Sequence, residues 1–373
     1  MTALPSPSGT GRRSTDSLLP VLRVIPSHCY ERSTVKGVAY VVRAIVVYAA
    51  VLTLLALTNT WWLILPLWIL AGLAVAGLFV LGHDAAHGAL FDSKRLNRIV
   101  ARVLMLPSLH IVEAWVLGHN RIHHGHTLRQ GMDFVWHPVT VEEYRALPRW
   151  KRLRHRAEWS CAGSGLYYGR EVWWNKMIRF TPPARYREKI RRDSWFVFSC
   201  AGVATLAVAA TGWFAGGPLE SAWLVVKLFV APFLVFTWLI GFVVHVHHIA
   251  PDLRWWPRRT WTSFRGQVEG TTVLAVPRGS NFFFHNIFVH VPHPVDVRIP
   301  FYALPEAAAA IKAEFPDSVH YGKLRLRDYV AATRACKLYD FDAQRWLTYA
   351  DARSDVRPWS TGPPTQHDPL RDD

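Results

Sequence analysis

Cysteine is scarce: Cys29, Cys161, Cys200 and Cys336 are the four in 373 residues. They stand alone, with no CxxC spacing, which excludes a cysteine-held zinc module and a dithiol redox pair. Acidic side chains are few against basic ones, 27 against 43, for a formal net charge of +16. Such a balance can mark a nucleic-acid binder. No zinc-finger spacing and no other nucleic-acid-binding motif accompanies it, so nucleic acid is not an expected partner. Arg12-Arg13 invites a twin-arginine reading, but Arg23 interrupts the apolar stretch that follows and Pro20 and Pro26 break it further. A cleaved export signal is therefore not expected. No internal repeat or low-complexity tract is present.

What the chain does have is apolar length. Half of its residues are hydrophobic and eighteen are Trp, and the apolar residues come in long runs. About twenty such residues cross a bilayer core of roughly 30 Å as a helix. Four runs qualify, at residues 37–58, 61–81, 195–214 and 221–244. The first two are joined by a very short turn and the last two by Ala215-Gly216-Gly217-Pro218-Leu219-Glu220, so the spans form two helical hairpins. Neither of these turns carries Lys or Arg, whereas the regions on the other side are rich in them. The positive-inside rule then places both termini on the cytoplasmic side. Arg43 and Lys227 lie inside spans near their ends, where snorkelling to the interface is expected.

Outside the spans, residues 1–36 read as a mobile N-terminal tail with little packing value. Residues 91–117 read as an interfacial helix rather than a further span. Residues 141–193 are densely basic with interleaved aromatics, as in Lys151-Arg152-Leu153-Arg154-His155-Arg156, and suit helices resting on headgroups or an acidic partner. Residues 303–350 read as an amphipathic helical tail on the cytosolic side, and the last twenty or so as disordered.

The histidines fall in four tight groups. His83 and His87, four apart, end the second span on one helical face and can grip one metal ion together. His119 and His123 repeat that spacing. His124, about a hundred degrees away on an α-helix, can serve a second ion. His245, His247 and His248 end the fourth span, and one of them can complete a cluster. His290 and His293 are three apart, again on one helical face, with His285 and Asn286 just before them in a helix-compatible stretch. Asp84 can accept from an imidazole as a supporting group or can face water. About eight candidates exceed what one ion accepts, so two ions are implied. Imidazole-rich, cysteine-free sites suit iron, copper or zinc.

His83-Asp-Ala-Ala-His87, His119-Asn-Arg-Ile-His123-His124 and His290-Val-Pro-His293 resemble the three histidine boxes of the membrane fatty acid desaturases. His285-Asn286 before the third box and Arg298-Ile-Pro-Phe-Tyr302 after it agree, and the resemblance covers residues 40 to 310. It implies an all-α integral membrane protein with four transmembrane helices in two hairpins and a helical cytosolic cap carrying a histidine-rich dimetal site. The membrane domain would run over 37–302, between the tail of 1–36 and a cytosolic segment of 303–373. The resemblance further implies two iron ions, dioxygen as co-substrate and an acyl substrate on a lipid, on coenzyme A or on an acyl-carrier protein. It also implies an external electron donor, ferredoxin-like or cytochrome b5-like. The implied metal set is His83, His87, His119, His123, His124, His285, His290 and His293, with one histidine after the fourth span, His245 before His248. One departure stands out. The family's third box ends in two adjacent histidines, and here Pro294 takes the second place. Water, Asn286, His126 or His285 is the expected substitute, and the helix carrying His290 is expected to end at about His293. The expected activity is oxygen-dependent acyl desaturation. Hydroxylation by the same centre, or a non-catalytic membrane scaffold that lost a site group at Pro294, are the alternatives.

Overall fold

The computed structural model describes residues 17–354. Four helices long and apolar enough to cross a membrane run over Thr34–Leu57, Trp61–His87, Ala184–Gly216 and Pro218–His248. The first is opened by Ser33, whose side chain accepts from the Lys36 N–H, as an N-cap residue should. The second ends where Gly88 takes a left-handed conformation, φ 76°, with its N–H on the Ala85 carbonyl; a residue with a Cβ would be strained there. The turn between the third and fourth helices is Gly217, φ 82°, followed by Pro218 at the first helical position.

The four helices are not equivalent. Only 11% of the apolar window is buried in the first and in the third, against 56% in the second and 50% in the fourth. The second and fourth pack against each other closely: a side chain at Gly72 would collide with Val235. The first and third helices leave Val42, Val46, Leu54, Val203 and Leu206 exposed, an apolar outer face suited to lipid.

Lys227 departs from the snorkelling expected of it. It is fully buried in a π-helical segment, Val226–Val230. Its ammonium donates to the Ala56 carbonyl at 3.2 Å and to Asn59 Oδ1 at 3.4 Å. Ala56 lies in the last turn of the first helix, where carbonyls lack helical partners, so the lysine closes that helix end instead of reaching water. Arg43 does stay near the surface, donating to the Phe282 carbonyl at 3.0 Å.

The cap is built from short pieces. Lys94–Leu104 is a helix that packs on the second span, and Arg102 reaches Asp193 at 2.6 Å. Two small sheets interrupt the helical expectation for the C-terminal region. Thr272–Ala275 pairs in parallel with His320–Lys323, and Leu338–Asp340 pairs antiparallel with Arg345–Leu347. Strands of three or four residues are too short for an alternation pattern to reveal. Residues 17–36 also differ from a loose tail. Leu19–Val24 is helical with Pro20 in its first turn, and Val21, Ile25 and Cys29 are buried in the main core. Residues 1–16 of that tail, and the C-terminal end expected to be disordered, lie outside the described residues.

Candidate metal centre

The last two turns of the second span project His83 and His87. Facing them is Val116–His123, a π-helical segment in which the His124 N–H bonds to the His119 carbonyl. That i→i+5 bond sets residue 124 over residue 119, where an α-helix would have put residue 123. The result reverses the expected split of the second box. His119 and His124 turn to the same side, and His123 turns to the other.

Eight of the ten predicted histidines meet in two adjacent groups. His83, His87, His119, His124 and His293 each offer a nitrogen within 4.8 Å of all the others, and His123, His248 and His290 form a second set on the same criterion. In the first group His83 Nε2 is 2.8 Å from His119 Nε2, His124 Nε2 is 2.9 Å from His119 Nε2, and His87 Nε2 is 3.3 Å from His83 Nε2. His119 Nε2 offers either one proton or one lone pair, so it cannot make a full hydrogen bond to both neighbours. A shared cation resolves the conflict. Nitrogens about 2.0–2.1 Å from one ion and at right angles lie about 2.9 Å apart, using zinc–imidazole lengths as a guide. Further nitrogens without any protein partner, Nε2 of His248 and His293 and both nitrogens of His290, are buried in the same place.

Burial, reinforced by the neighbouring imidazoles, holds His119, His124 and His290 well below the ordinary histidine pKa. Burial, then His123, lowers His293 to about 3. These rings are neutral at physiological pH, the form that binds metal. The donor set therefore fits the pair of ions that the sequence implies.

Groups behind the rings differ from those expected. Asp84 is buried, but its Oδ2 accepts from the Phe301 N–H at 2.8 Å, not from an imidazole. It ties the end of the second span to the segment after the third box. The imidazole-supporting carboxylate is Asp133: Oδ1 lies 2.9 Å from His123 Nδ1, and both oxygens also accept backbone N–H groups, of Val135 and Leu128. Burial raises its pKa, but the neighbouring His123 ring, with a smaller contribution from the Leu128 N–H, holds the carboxyl below its usual value. His248 Nδ1 donates to the Gly270 carbonyl at 3.2 Å, and Gln267 Nε2 donates to the His124 carbonyl at 2.6 Å.

Two predicted histidines are not brought in. His245 sits between Trp136 and Tyr329, with ring centroids 4.8 and 5.1 Å away. His285 and Asn286 adopt left-handed conformations, φ 44° and 57°. His285 packs on Tyr40 and Phe301, while the Asn286 amide donates to the Phe301 carbonyl. The third box is also not one helix. His290 precedes the single turn Pro292–Val295, whose first-turn N–H groups need no helical partner, so Pro294 fits inside it and the chain becomes extended only at Asp296.

A cavity of about 50 Å³ adjoins both groups. Phe79, Trp115, Val172 and Ile240 supply apolar wall, and His83, His119, His123 and His290 are part of its lining. Tyr168 also lines it, and its hydroxyl is 2.9 Å from His110 Nε2, while His110 Nδ1 donates to the Ser108 carbonyl. His110 was visible in the sequence only as a break in an apolar stretch; nothing local marks its partner 58 residues on.

The family model described as "Fatty acid desaturase" matches residues 59–325. Among curated proteins the chain is similar to an sn-1 oleoyl-lipid 12-desaturase of Synechocystis sp., 29% identical over 91% of this chain and 94% of that protein. It is also similar to the chloroplastic omega-6 fatty acid desaturase of Glycine max, 27% identical over 87% and 74% respectively. A third, the sn-1 oleoyl-lipid 12-desaturase of Arthrospira platensis, is 30% identical over 65% and 67%.

Proposed function

The chain belongs to the fatty acid desaturase family, and from that premise we propose that it introduces a double bond into a fatty acyl chain at a centre of two iron ions. The observation that carries this reading is the apolar cavity whose lining includes imidazoles of both histidine groups. Such a wall fits a hydrocarbon chain that runs up to the imidazoles. The relatives named as oleoyl-lipid desaturases make a lipid-bound, monounsaturated chain the first substrate to test.

Two hydrogens leave the acyl chain, an external donor delivers two electrons, solvent supplies two protons, and one dioxygen becomes two waters. The iron pair supplies, when bound, the oxygen activation that an unactivated methylene requires. His83, His87, His119, His124 and His293 would hold one ion, and His123, His248 and His290 the other. Asp133 fixes the ring of His123 so that Nε2 faces the centre. Phe79, Trp115, Val172 and Ile240 align the chain and exclude water. His110 and Tyr168 hold each other at the edge of the cavity and keep its wall rigid.

The positive-inside pattern supports a cytoplasmic location for both termini and for the centre. A tag at Gly216-Gly217 should be accessible from outside, and tags at the termini should not. The donor is taken to be an acidic, ferredoxin-like carrier, because the chain carries a net charge of +16. The deciding experiment expresses the protein with a ferredoxin and its reductase in a host rich in oleoyl lipid. Acyl chains lighter by two hydrogens are expected. Chains heavier by one oxygen would make the protein a hydroxylase, and an unchanged lipid profile with no bound iron would leave only a scaffold.

A further inference from the structure

The two histidine groups are unequal, five imidazoles against three, and Pro294 stands where the family resemblance calls for one more. The substitutes that the sequence suggests do not reach the second group. His285 is enclosed by Tyr40 and Phe301. Asn286 is bonded to the Phe301 carbonyl. His126 Nδ1 accepts from the Arg129 guanidinium at 3.1 Å.

His247 is placed differently. It is 2% exposed and lies face to face with His290, ring centroids 3.9 Å apart and planes 13° from parallel. His248 meets His290 edge-on, ring centroids 5.2 Å apart. His247 shares the lining of the central cavity with His123, His248 and His290. Its ring hydrogen-bonds the Ile287 backbone, and its Nε2 is buried without a partner. An imidazole anchored through one nitrogen and bare at the other is the arrangement that metal-binding histidines adopt. Leaving that nitrogen dry and unbonded carries a desolvation cost.

We propose that His247 supplies the fourth imidazole of the second group and so takes over the place that Pro294 vacates. This rests on the dimetal reading given above. The ring is stacked on His290 beside the group of three, and joining that group requires it to shift toward His123 and His248.

The test measures metal, not turnover. Purified protein in detergent is loaded with Fe(II), and separately with Co(II) as a spectroscopic probe, and metal per chain is determined by elemental analysis. The natural protein should hold two ions. His247→Ala and the space-filling His247→Gln should keep the first ion and bind the second roughly tenfold or more weakly, with a changed Co(II) absorption band. His245→Phe, on the same helix but in the aromatic cage, should keep both. Adding Pro294→His to His247→Ala should restore the second ion. If both single variants lose all metal, the double variant decides: restoration supports the assignment and its absence overturns it. Two ions held at natural affinity in His247→Ala overturn this inference alone. A natural protein that holds no second ion overturns the dimetal reading with it.

Discussion

The two histidine groups solve the same problem in opposite ways. The first is rich in imidazoles and poor in backing: five rings converge, yet Nδ1 of His83, His87 and His124 has no protein partner. The second has three rings but two of them are fixed from behind, His123 by Asp133 and His248 by the Gly270 carbonyl. Number and orientation can substitute for each other. A site with donors to spare tolerates rings that settle on the ion as it arrives. A site with few donors needs each one aimed beforehand.

The largest effect should therefore come from the group with least redundancy. His123→Ala and His248→Ala should remove the second ion and abolish desaturation. His87→Ala should weaken the first ion but leave four imidazoles to hold it. Iron per chain and product yield, measured together, check this. Equal metal loss from His87→Ala and His123→Ala would break the comparison.

Asp133→Asn tests orientation rather than number. The amide keeps the shape and one acceptor but loses the charge that steadies the His123 ring. The expected cost is roughly 10- to 100-fold in affinity for the second ion, with little change at the first. Among the described residues, His123 is the one histidine of either group with a carboxylate in contact behind it, so a loss of the first ion instead would show that the two groups are not independently supported.

Much of this centre was legible in the sequence, and the reasons for the rest are specific. His83 and His87 could be paired because four residues make about one α-helical turn. α-Helical spacing sorts His119, His123 and His124 the wrong way round, because the helix there is π-wound and the winding has no composition signature. Asp133 escaped notice because the chain doubles back over ten residues to bring it under His123. His285 and Asn286 read as helical but take left-handed φ values, which turn both away. The four spans were readable because bilayer thickness fixes their length, while the burial of Lys227 depends on where another helix ends.

The donor surface sharpens the comparison further, with a smaller effect. The exposed Arg258 and Arg259 lie beside Trp261, which donates to the Thr127 carbonyl at 2.8 Å, and the Thr127 hydroxyl donates to the His123 carbonyl at 2.9 Å. This basic surface is thus a few bonds from the second group. Arg152 and Arg154 lie on Arg149–Glu158, whose His155 packs on Trp159 and Tyr349 rather than on either group. Reversing Arg258 and Arg259 to Glu should raise the apparent KM for an acidic donor on the order of fivefold, and flatten its salt dependence. The same reversal at Arg152 and Arg154 should do less. The opposite ranking would place electron entry on the outer basic helix.

The smallest effect is expected at His245, which lies one helical turn before the histidine that does join the second group. Three residues put it about 60° around the helix from His248, and its ring goes into an aromatic cage instead of toward the centre. There it meets Trp136 and Tyr329 nearly edge-on, interplanar angles 85° and 82°, and Trp136 is itself held by donation to the Gly241 carbonyl. The cage is aromatic on both sides, and neither ring nitrogen of His245 has a partner in it. A phenyl ring suits such a place as well as an imidazole does, because edge-to-face contact needs a ring and not a nitrogen. His245→Phe should therefore leave both ions and the product yield unchanged. Alanine would empty the cage and lower stability by about 2–3 kcal/mol, read as a lower Tm, with metal per chain still intact. If His245→Phe instead released the second ion, the ring would have to swing out of its cage to reach the centre, and the second group would draw a donor from His245 that its present geometry withholds.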